Sequence, residues 1–387
     1  MANIGYEDFS GASTPAVSGS SNPYDVLIGA CHNDPATIQA RYHTHRTARN
    51  AQQKEKILSS DFDGWKLDPI LTKLEGPEGL RDPNFTDPRN CLVFWARPPQ
   101  KVRSLIQLVQ QKLKHVVPDL WLMPLLKLHM TALEATHSLT PPEVEALAER
   151  LQNDDRHEAI ADLPAQPGKG ARLIKPMLSF DAAALALSFV PAANEALPVP
   201  YRPRDDNYTY QHLRHDLWAL ITDAGVRVGS RYVVPSAHLT IARFNSPNPF
   251  ATENEDPLDA HSGIDLEKRQ RLIREIETIN HWLEEEYWPQ LQPLKRTTTD
   301  AVTDTTPGTD TDAQTQKQQN EDLVETIKPG GEWIVGEEQG LDFRKGALWY
   351  GGGDTVYLGK GISRHDEVES KPRMKLSDVM GKYQGAA

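Results

Sequence analysis

The chain has 387 residues, enough for one large domain with additional segments or for two domains of ordinary size. Its 54 acidic residues outnumber its 42 basic ones, and the formal charge of −12 argues against binding of extended nucleic acid without excluding a nucleotide or a short RNA end. Two cysteines give no disulfide framework, no apolar run reaches the roughly 20 residues of a membrane helix, and the first residues lack a signal-peptide pattern. We therefore expect a cytoplasmic protein without membrane contact, with a nuclear location left open.

The first quarter of the chain is predicted to lie outside the main domain. Residues 1–22 are rich in Ser, Gly, Ala and Thr, a composition typical of a disordered leader. Residues 23–89 are predicted as an N-terminal helical arm, in which the polar stretch 41–59 favours a solvent-exposed helix. Trp65 and nearby apolar residues would attach this arm to the main body.

A strand–helix–strand passage follows. The apolar run 91–96 favours a buried strand, and 102–116 has apolar residues near helical spacing. A second strand is predicted at 127–133. Thr140 and Glu143 then predict the capping box of another helix.

A second passage of the same kind lies downstream. It is predicted to contain two short strands within 177–190, a helix at 208–224 and a strand at 236–242. The order strand, helix, His-x-Thr strand therefore occurs twice, at 91–135 and at 184–244.

The last part of the chain alternates between structured and low-complexity segments. The stretch 265–288 predicts a charged helix with one apolar face, whereas Thr, Asp and Gln dominate 295–328. Short strands are predicted at 333–335, 347–350 and 355–358, with a glycine turn at 351–354 joining the last two. The predicted organisation is a disordered leader at 1–22, a helical arm at 23–89, a bilobal domain at 90–250 plus 331–361, a charged helix at 264–289, a disordered insertion at 295–328 and a loose tail at 362–387.

Two His-x-Thr strands are the most informative feature of the sequence. Period-two alternation turns His129 and Thr131 to one face of the first strand, and His238 and Thr240 to one face of the second. A third copy, 45–47, has polar neighbours on every side and is predicted to lie on a helix surface. The paired copies favour an active site shared by two strands; the alternative is two core histidines satisfied by backbone groups.

Three neighbours of these motifs are further candidates. Lys127 and Ser236 alternate onto the faces of His129 and His238, where they could contact a substrate or simply face solvent. Arg243 alternates to the opposite face, which favours a structural or rim role.

The segments Leu-His-Met-Thr-Ala at 128–132 and Ala-His-Leu-Thr-Ile at 237–241 resemble the paired motifs of the two-histidine phosphoesterase superfamily. That group includes RNA 2′,3′-cyclic phosphodiesterases and the bacterial enzymes named 2′-5′ RNA ligases, and the chain looks most like fungal members of the RNA ligase and cyclic nucleotide phosphodiesterase family. The resemblance covers roughly 90–244, with strands in 331–360 completing the sheets. It implies an α+β, pseudo-twofold bilobal fold in which two His-x-Thr strands face a central cleft.

The resemblance also implies a chemistry. His129 and His238 would be the general base and the general acid in hydrolysis of a cyclic phosphate, and Thr131 and Thr240 would bind the phosphate, with no metal or other cofactor. Which histidine is the base stays open. The alternative function is a catalytically weak nucleotide- or RNA-end-binding module that engages a protein partner through the arm or the charged helix; a ligand-free scaffold is a third.

Other polar and aromatic groups are given weaker roles. Trp349 and Tyr350 could stack a base or pack in the core. A zinc site is not favoured by the spacing of the candidate ligands, which are predicted to lie on the surface. These candidates are Cys31, His32, His43 and His45, and two more surface histidines are predicted at His212 and His215.

Overall fold

The computed structural model describes residues 8–10, 21–196, 205–229, 233–293 and 323–362. The helices in these ranges are α1 (Asp25–Ala30), α2 (Pro35–Leu58), α3 (Pro69–Glu75), α4 (Gln100–Val116), α5 (Pro141–Gln152), α6 (Arg156–Ala161), α7 (Tyr210–Asp223), α8 (Ala260–Gly263) and α9 (Leu266–Tyr287). The strands are β1 (Asn90–Ala96), β2 (Trp121–Leu122), β3 (Met130–Leu139), β4 (Arg172–Phe180), β5 (Ala184–Pro191), β6 (Ala237–Arg243), β7 (Gln290–Pro293), β8 (Leu323–Thr326), β9 (Glu332–Ile334), β10 (Asp342–Gly346) and β11 (Asp354–Leu358).

Two antiparallel sheets form the centre of the fold. The first has the strand order β11-β10-β1-β3, and the second has the order β2-β6-β5-β4-β9. Strands β7 and β8 form a separate two-stranded ribbon. Helices and antiparallel strands occur in separate layers, which is an α+β arrangement. Each large sheet contains one of the two His-x-Thr segments, at the start of β3 and within β6.

Helices pack against both sheets. Helix α4 contacts β6 and α9, α2 contacts β4 and β5, and α5 contacts β1 and β10. Five apolar positions of α4 recur at helical spacing and are each at most 2% exposed, so each contributes about 1.5–3 kcal/mol through burial. These positions are Val102, Leu105, Ile106, Val109 and Leu113. None of the described helices combines the length and the apolar character needed to cross a bilayer.

The N-terminal segment is part of the same core. Trp65 attaches it to the main body as predicted, but the prediction of a solvent-exposed helix at 41–59 is wrong. Ile38 and Ile57 of α2 belong to the hydrophobic cluster that also contains Leu239 and Phe343. Several polar side chains of α2 are buried as well, because they satisfy backbone groups of the second sheet. Asn50 Nδ2 donates to the Leu178 carbonyl at 3.0 Å, for example.

The reason lies in the irregular pairing of β4. Its register with β5 shifts between Ile174 and Met177, which leaves backbone groups there without a ladder partner. Arg46 of α2 donates to the Lys175 carbonyl at 2.7 Å and to the Ser188 carbonyl at 3.3 Å. A polar helix face can therefore be buried where a sheet offers unpaired acceptors.

The C-terminal strands differ in part from the prediction. Strands at 333–335 and 355–358 are confirmed by β9 and β11, but 347–350 is not a strand, and Trp349–Gly351 is a single 3₁₀ turn. Strand β11 pairs instead with β10, which was not predicted because its charged residues do not form an apolar strand pattern. Phe343 of β10 stacks on Phe94 with ring centroids 4.6 Å apart, which holds this strand in the sheet.

The low-complexity predictions are mostly beyond the described residues. This applies to most of 1–22, to 295–322 of the predicted insertion and to the tail after 362. The end of the insertion is described, and there the prediction of disorder is wrong because β8 pairs with β7. The capping box at Thr140 and Glu143 is confirmed, and α7 and α9 lie within the predicted helices.

Candidate active site

The two His-x-Thr motifs line one cavity of about 100 Å³ between the sheets. His129 immediately precedes β3, whereas His238 is the second residue of β6. The side chains of Thr131 and Thr240 line the same cavity, and all four are partly exposed. Strands β3 and β6 contact each other but belong to different sheets, so the site is formed by side chains across a cleft and not by a shared ladder.

The two neighbouring candidates hold the histidine rings. Ser236 lines the cavity, and its Oγ lies 2.9 Å from Nδ1 of His238. Lys127 belongs to a 3₁₀ turn ahead of the strand, and its exposed side chain does not line the cavity. Its carbonyl accepts a hydrogen bond from Nδ1 of His129 at 2.8 Å. This bond leaves the lone pair of the neutral ring on Nε2. Lys127 thus acts through its backbone, not through its side chain as predicted.

Trp95 of β1 forms the wall behind His129. The two rings stack with centroids 3.8 Å apart and planes at 19°. The guanidinium groups of Arg97 and Arg344 lie 4.8 Å and 5.0 Å from the centre of the Trp95 ring. Both arginines pair with buried Asp342, at 2.7 Å and 3.4 Å. The result is a rigid ring position with positive charge nearby.

This environment disfavours a charged His129. Burial lowers the pKa of His129 to about 3, although the hydrogen bond to the Lys127 carbonyl opposes the shift. The positive charges of Arg97 and Arg344 and the proximity of His238 contribute to the same lowering. Surrounded by these protein groups, the imidazole of His129 is therefore neutral at pH 7.

The protein groups around His238 also keep its ring neutral at pH 7. Burial lowers its pKa to about 4, and the charges of Arg49 and Arg214 act in the same direction. The carboxylate of Asp181 raises the pKa and so compensates for part of this shift. Asp181 therefore favours the imidazolium form of His238.

Arg243 faces the cavity, contrary to the prediction from alternation. The register of β6 against β5 skips Ile241, so the strand bulges there. The extra residue reverses the alternation, and Arg243 lines the same wall as His238 and Thr240. Its guanidinium lies 5.5 Å from the centre of the Tyr350 ring.

Glu134 is a cavity residue that sequence reasoning missed. The register of β3 against β1 skips Ala132, so Glu134 faces the cavity three residues after Thr131. Arg243 stands three residues after Thr240, so the two strands place opposite charges at equivalent positions. Period-two alternation cannot reveal either residue. The repeated spacing His-x-Thr-x-x-charged residue was the available signal.

Aromatic side chains form the roof of the cavity. Trp349 and Tyr350 both line it, from the turn between β10 and β11. Tyr350 has a φ of 60°, in the left-handed region that is uncommon for a non-glycine residue. The Arg89 guanidinium lies 4.1 Å from the centre of the Trp349 ring. Both rings are thus packed residues with one side toward the cavity, so the two predicted roles are not exclusive.

The remaining candidates have structural positions. Cys31 and His45 are buried at 1% and 3% exposure, so the prediction that they lie on the surface is wrong. His212 completes the capping box of α7, and His215 lies 3.1 Å from Asp25. Within the described ranges, no group of three or more His, Cys, Asp or Glu side chains is arranged to hold a metal ion.

No protein-family model matches the chain, and no curated protein matches it significantly. The two His-x-Thr motifs and the cavity that they line are therefore the features that support a function.

Proposed function

We propose that the protein is a metal-independent phosphodiesterase that opens a cyclic phosphate, either in a 2′,3′-cyclic nucleotide or at an RNA end. One observation carries the proposal: both His-x-Thr motifs, from different sheets, line a single cavity with both histidines and both threonines. Two unrelated core histidines would not require hydroxyl groups at matched positions on the same walls. The pairing fits the resemblance to the two-histidine phosphoesterases.

The arrangement supports a specific division of roles. Nε2 of His129 carries the lone pair because Nδ1 donates to the Lys127 carbonyl, so His129 suits the general base. The nearby carboxylate of Asp181 favours the charged form of His238, so His238 suits the general acid. A water oxygen then bonds to phosphorus as His129 takes its proton. The bond from phosphorus to one ribose oxygen breaks, and that oxygen takes a proton from His238.

The two threonines and Arg243 would stabilise the negative charge of the phosphate. The hydroxyl groups of Thr131 and Thr240 would donate to the non-bridging phosphate oxygens, where negative charge increases in the transition state. Arg243 adds a fixed positive charge on the wall of His238 and Thr240. A bound phosphate anion would also raise the pKa values of both histidines, because an opposite charge favours the imidazolium form. The substrate itself would thus help to protonate His238.

Replacement of each histidine tests the proposal. His129→Ala and His238→Ala should each lower the turnover of adenosine 2′,3′-cyclic phosphate by about 10²–10⁴-fold, measured by phosphorus NMR. His115→Ala, at an exposed position of α4, is the matched control and should retain full activity. Thermal unfolding of all variants separates lost chemistry from lost folding. Full activity in either site variant would show that the cavity does not carry out this reaction.

A nucleotide-binding module without catalysis is the second candidate. It is favoured by one observation, namely that the protein groups around both histidines lower their pKa values, so that both rings are neutral at pH 7. Such a protein would lack a general acid if a bound ligand did not raise these values. Calorimetric titration with AMP and with adenosine 2′,3′-cyclic phosphate distinguishes the two, since a module would bind both and hydrolyse neither.

A further inference from the structure

A second cavity of about 150 Å³ adjoins the candidate active site. The two cavities share a wall formed by Ser236, His238, Thr240 and Arg243. The second cavity lies between α2 and the second sheet, and we name it the α2 chamber. Its lining includes His45, Arg46, Arg49, Ser179, Ala186 and Ser188.

The α2 chamber exists because the two sheets differ beside their threonines. In the first sheet Trp95 is the partner of Thr131 across β1 and β3, and its ring stacks on His129. In the second sheet the partner of Thr240 is Ala186, whose methyl group leaves open space where the first sheet has an indole. A ligand held between the two histidines can therefore extend on the His238 side.

Arg46 gives the α2 chamber an uncompensated positive charge. It is 4% exposed, and it forms no ion pair with a carboxylate within the described part of the chain. Its Nη1 donates to the backbone carbonyls of Lys175 and Ser188, whereas its Nε has no hydrogen-bond partner there. Glu284 raises the pKa of Arg46, but burial is the larger effect and lowers it to about 9. A buried cation without a counter-ion is costly, and an anionic ligand would remove that cost.

Arg49 adds a second guanidinium one turn along the helix. Its side chain is 29% exposed and pairs with Asp181 at 2.5 Å, so it is the more accessible of the two arginines. Together Arg46, Arg49 and Asp181 leave an excess of one positive charge. Phe180 is the only aromatic carbocycle among the chamber residues, so base stacking is not the favoured use of this space. Guanidinium groups are suited to phosphate, which they bind through paired N–H donors.

We propose that the α2 chamber binds a second phosphate group of the substrate, on the 5′ side of the nucleotide whose cyclic phosphate lies between the histidines. This inference rests on the proposed function for the first phosphate. The substrate is then a 5′-phosphorylated nucleoside cyclic phosphate or the cyclic-phosphate end of an RNA chain. Both sources present the same chemistry, a 5′-linked phosphate, to Arg46 and Arg49.

Three substrates test this proposal. They are adenosine 2′,3′-cyclic phosphate, the same compound with a 5′-phosphate, and a diadenosine dinucleotide that ends in a 2′,3′-cyclic phosphate. We expect the wild-type kcat/KM to rise at least about tenfold when a 5′-linked phosphate is present, the size of one modest charge-assisted contact. A gain with the 5′-monophosphate alone identifies a mononucleotide substrate, and a gain with the dinucleotide identifies an RNA end.

The variants locate the effect. Arg49→Gln should abolish the gain, measured as the ratio of kcat/KM with and without the 5′-phosphate in the same variant, because Arg49 also lowers the pKa of His238 and its loss can change the basal rate. Arg46→Gln should do the same, and Arg49→Gln keeps the test decisive if loss of Arg46 prevents folding. Lys54→Gln removes a positive charge from the same helix at its contact with Glu277, away from the chamber, and should retain the gain.

Two outcomes would overturn the proposal. One is equal kcat/KM for all three substrates, and the other is a gain that survives both Arg46→Gln and Arg49→Gln. Either result leaves the proposed phosphodiesterase activity intact. Absence of hydrolysis with every substrate counts against the proposed function instead. Calorimetric titration with the same compounds then tests separately whether the α2 chamber binds phosphate. If it does, the 5′-phosphorylated compounds bind more tightly than the unphosphorylated one.

Discussion

Lowering the pH from about 7 to about 5 should destabilise the folded protein through His129 and His238. Their folded-state pKa values, about 3 and about 4, lie below the value of about 6.5 for histidine in an unfolded chain. The unfolded chain therefore binds protons first as the pH falls. Stability that is fully present above about pH 6.5 is lost as the pH decreases toward the folded-state values.

The size of the effect follows from the same values. Each pH unit between the two pKa values is worth about 1.4 kcal/mol, so at about pH 5 each ring costs up to about 2 kcal/mol of unfolding free energy. Because both rings are partly exposed, this loss of unfolding free energy is an upper limit. A domain has a total stability of about 5–15 kcal/mol, so the combined loss is well within reach of measurement.

Urea denaturation at both pH values measures the loss. His129→Gln should reduce the pH dependence of the unfolding free energy, because glutamine keeps a donor for the Lys127 carbonyl but does not titrate. His238→Gln should act similarly. His115→Gln is the control at an exposed position and should leave the pH dependence unchanged. Stability curves of wild type and site variants that run parallel between about pH 7 and about pH 5 would refute the conclusion that the two rings are held neutral.

Two further predictions concern the chemistry of the cavity. Thr131→Val and Thr240→Val should each lower kcat for a cyclic phosphate by about 10²-fold or more, since each removes a donor to the transition state. Thr47→Val, in the third His-x-Thr copy, is the control and should leave kcat unchanged. Steady-state kinetics in which all three variants behaved alike would contradict this prediction. Prolonged treatment with EDTA should leave the wild-type rate unchanged, and a loss of rate that added zinc restores would replace the proposed mechanism with a metal-assisted one.

Local periodicity was sufficient where the strands are regular. His129 and Thr131, like His238 and Thr240, are two residues apart, and over that distance the alternation of a strand holds. The structure brings all four to one cavity. The strand–helix–strand order was also predictable, because amphipathic spacing such as that of α4 reflects one buried face.

Period-two alternation gave the wrong face for residues beyond each threonine. Arg243 and Glu134 lie beyond bulges at Ile241 and Ala132, and each bulge is specified by the partner strand and not by the local sequence. The same applies to Lys127, whose place in a 3₁₀ turn assigns the carbonyl and not the side chain to the site.

Helix α2 shows that composition alone does not predict burial. Its hydrophilic composition was correctly taken to indicate a helix, but composition alone cannot show whether polar groups meet water or protein acceptors. Arg46 and Asn50 are buried because β4 and β5 offer backbone carbonyls at their surface. That burial places Arg46 beside the cavity.

The sequence by itself predicted which residues would carry the proposed chemistry and on which local face each His-x-Thr pair lies. Both follow from residue type and from short-range backbone geometry. Only the tertiary structure decided that β3 and β6 meet from separate sheets, that strand bulges turn Glu134 and Arg243 inward, and that the small side chain of Ala186 opens the α2 chamber beside His238. These features depend on strand pairing between residues far apart in the chain, which local pattern does not encode.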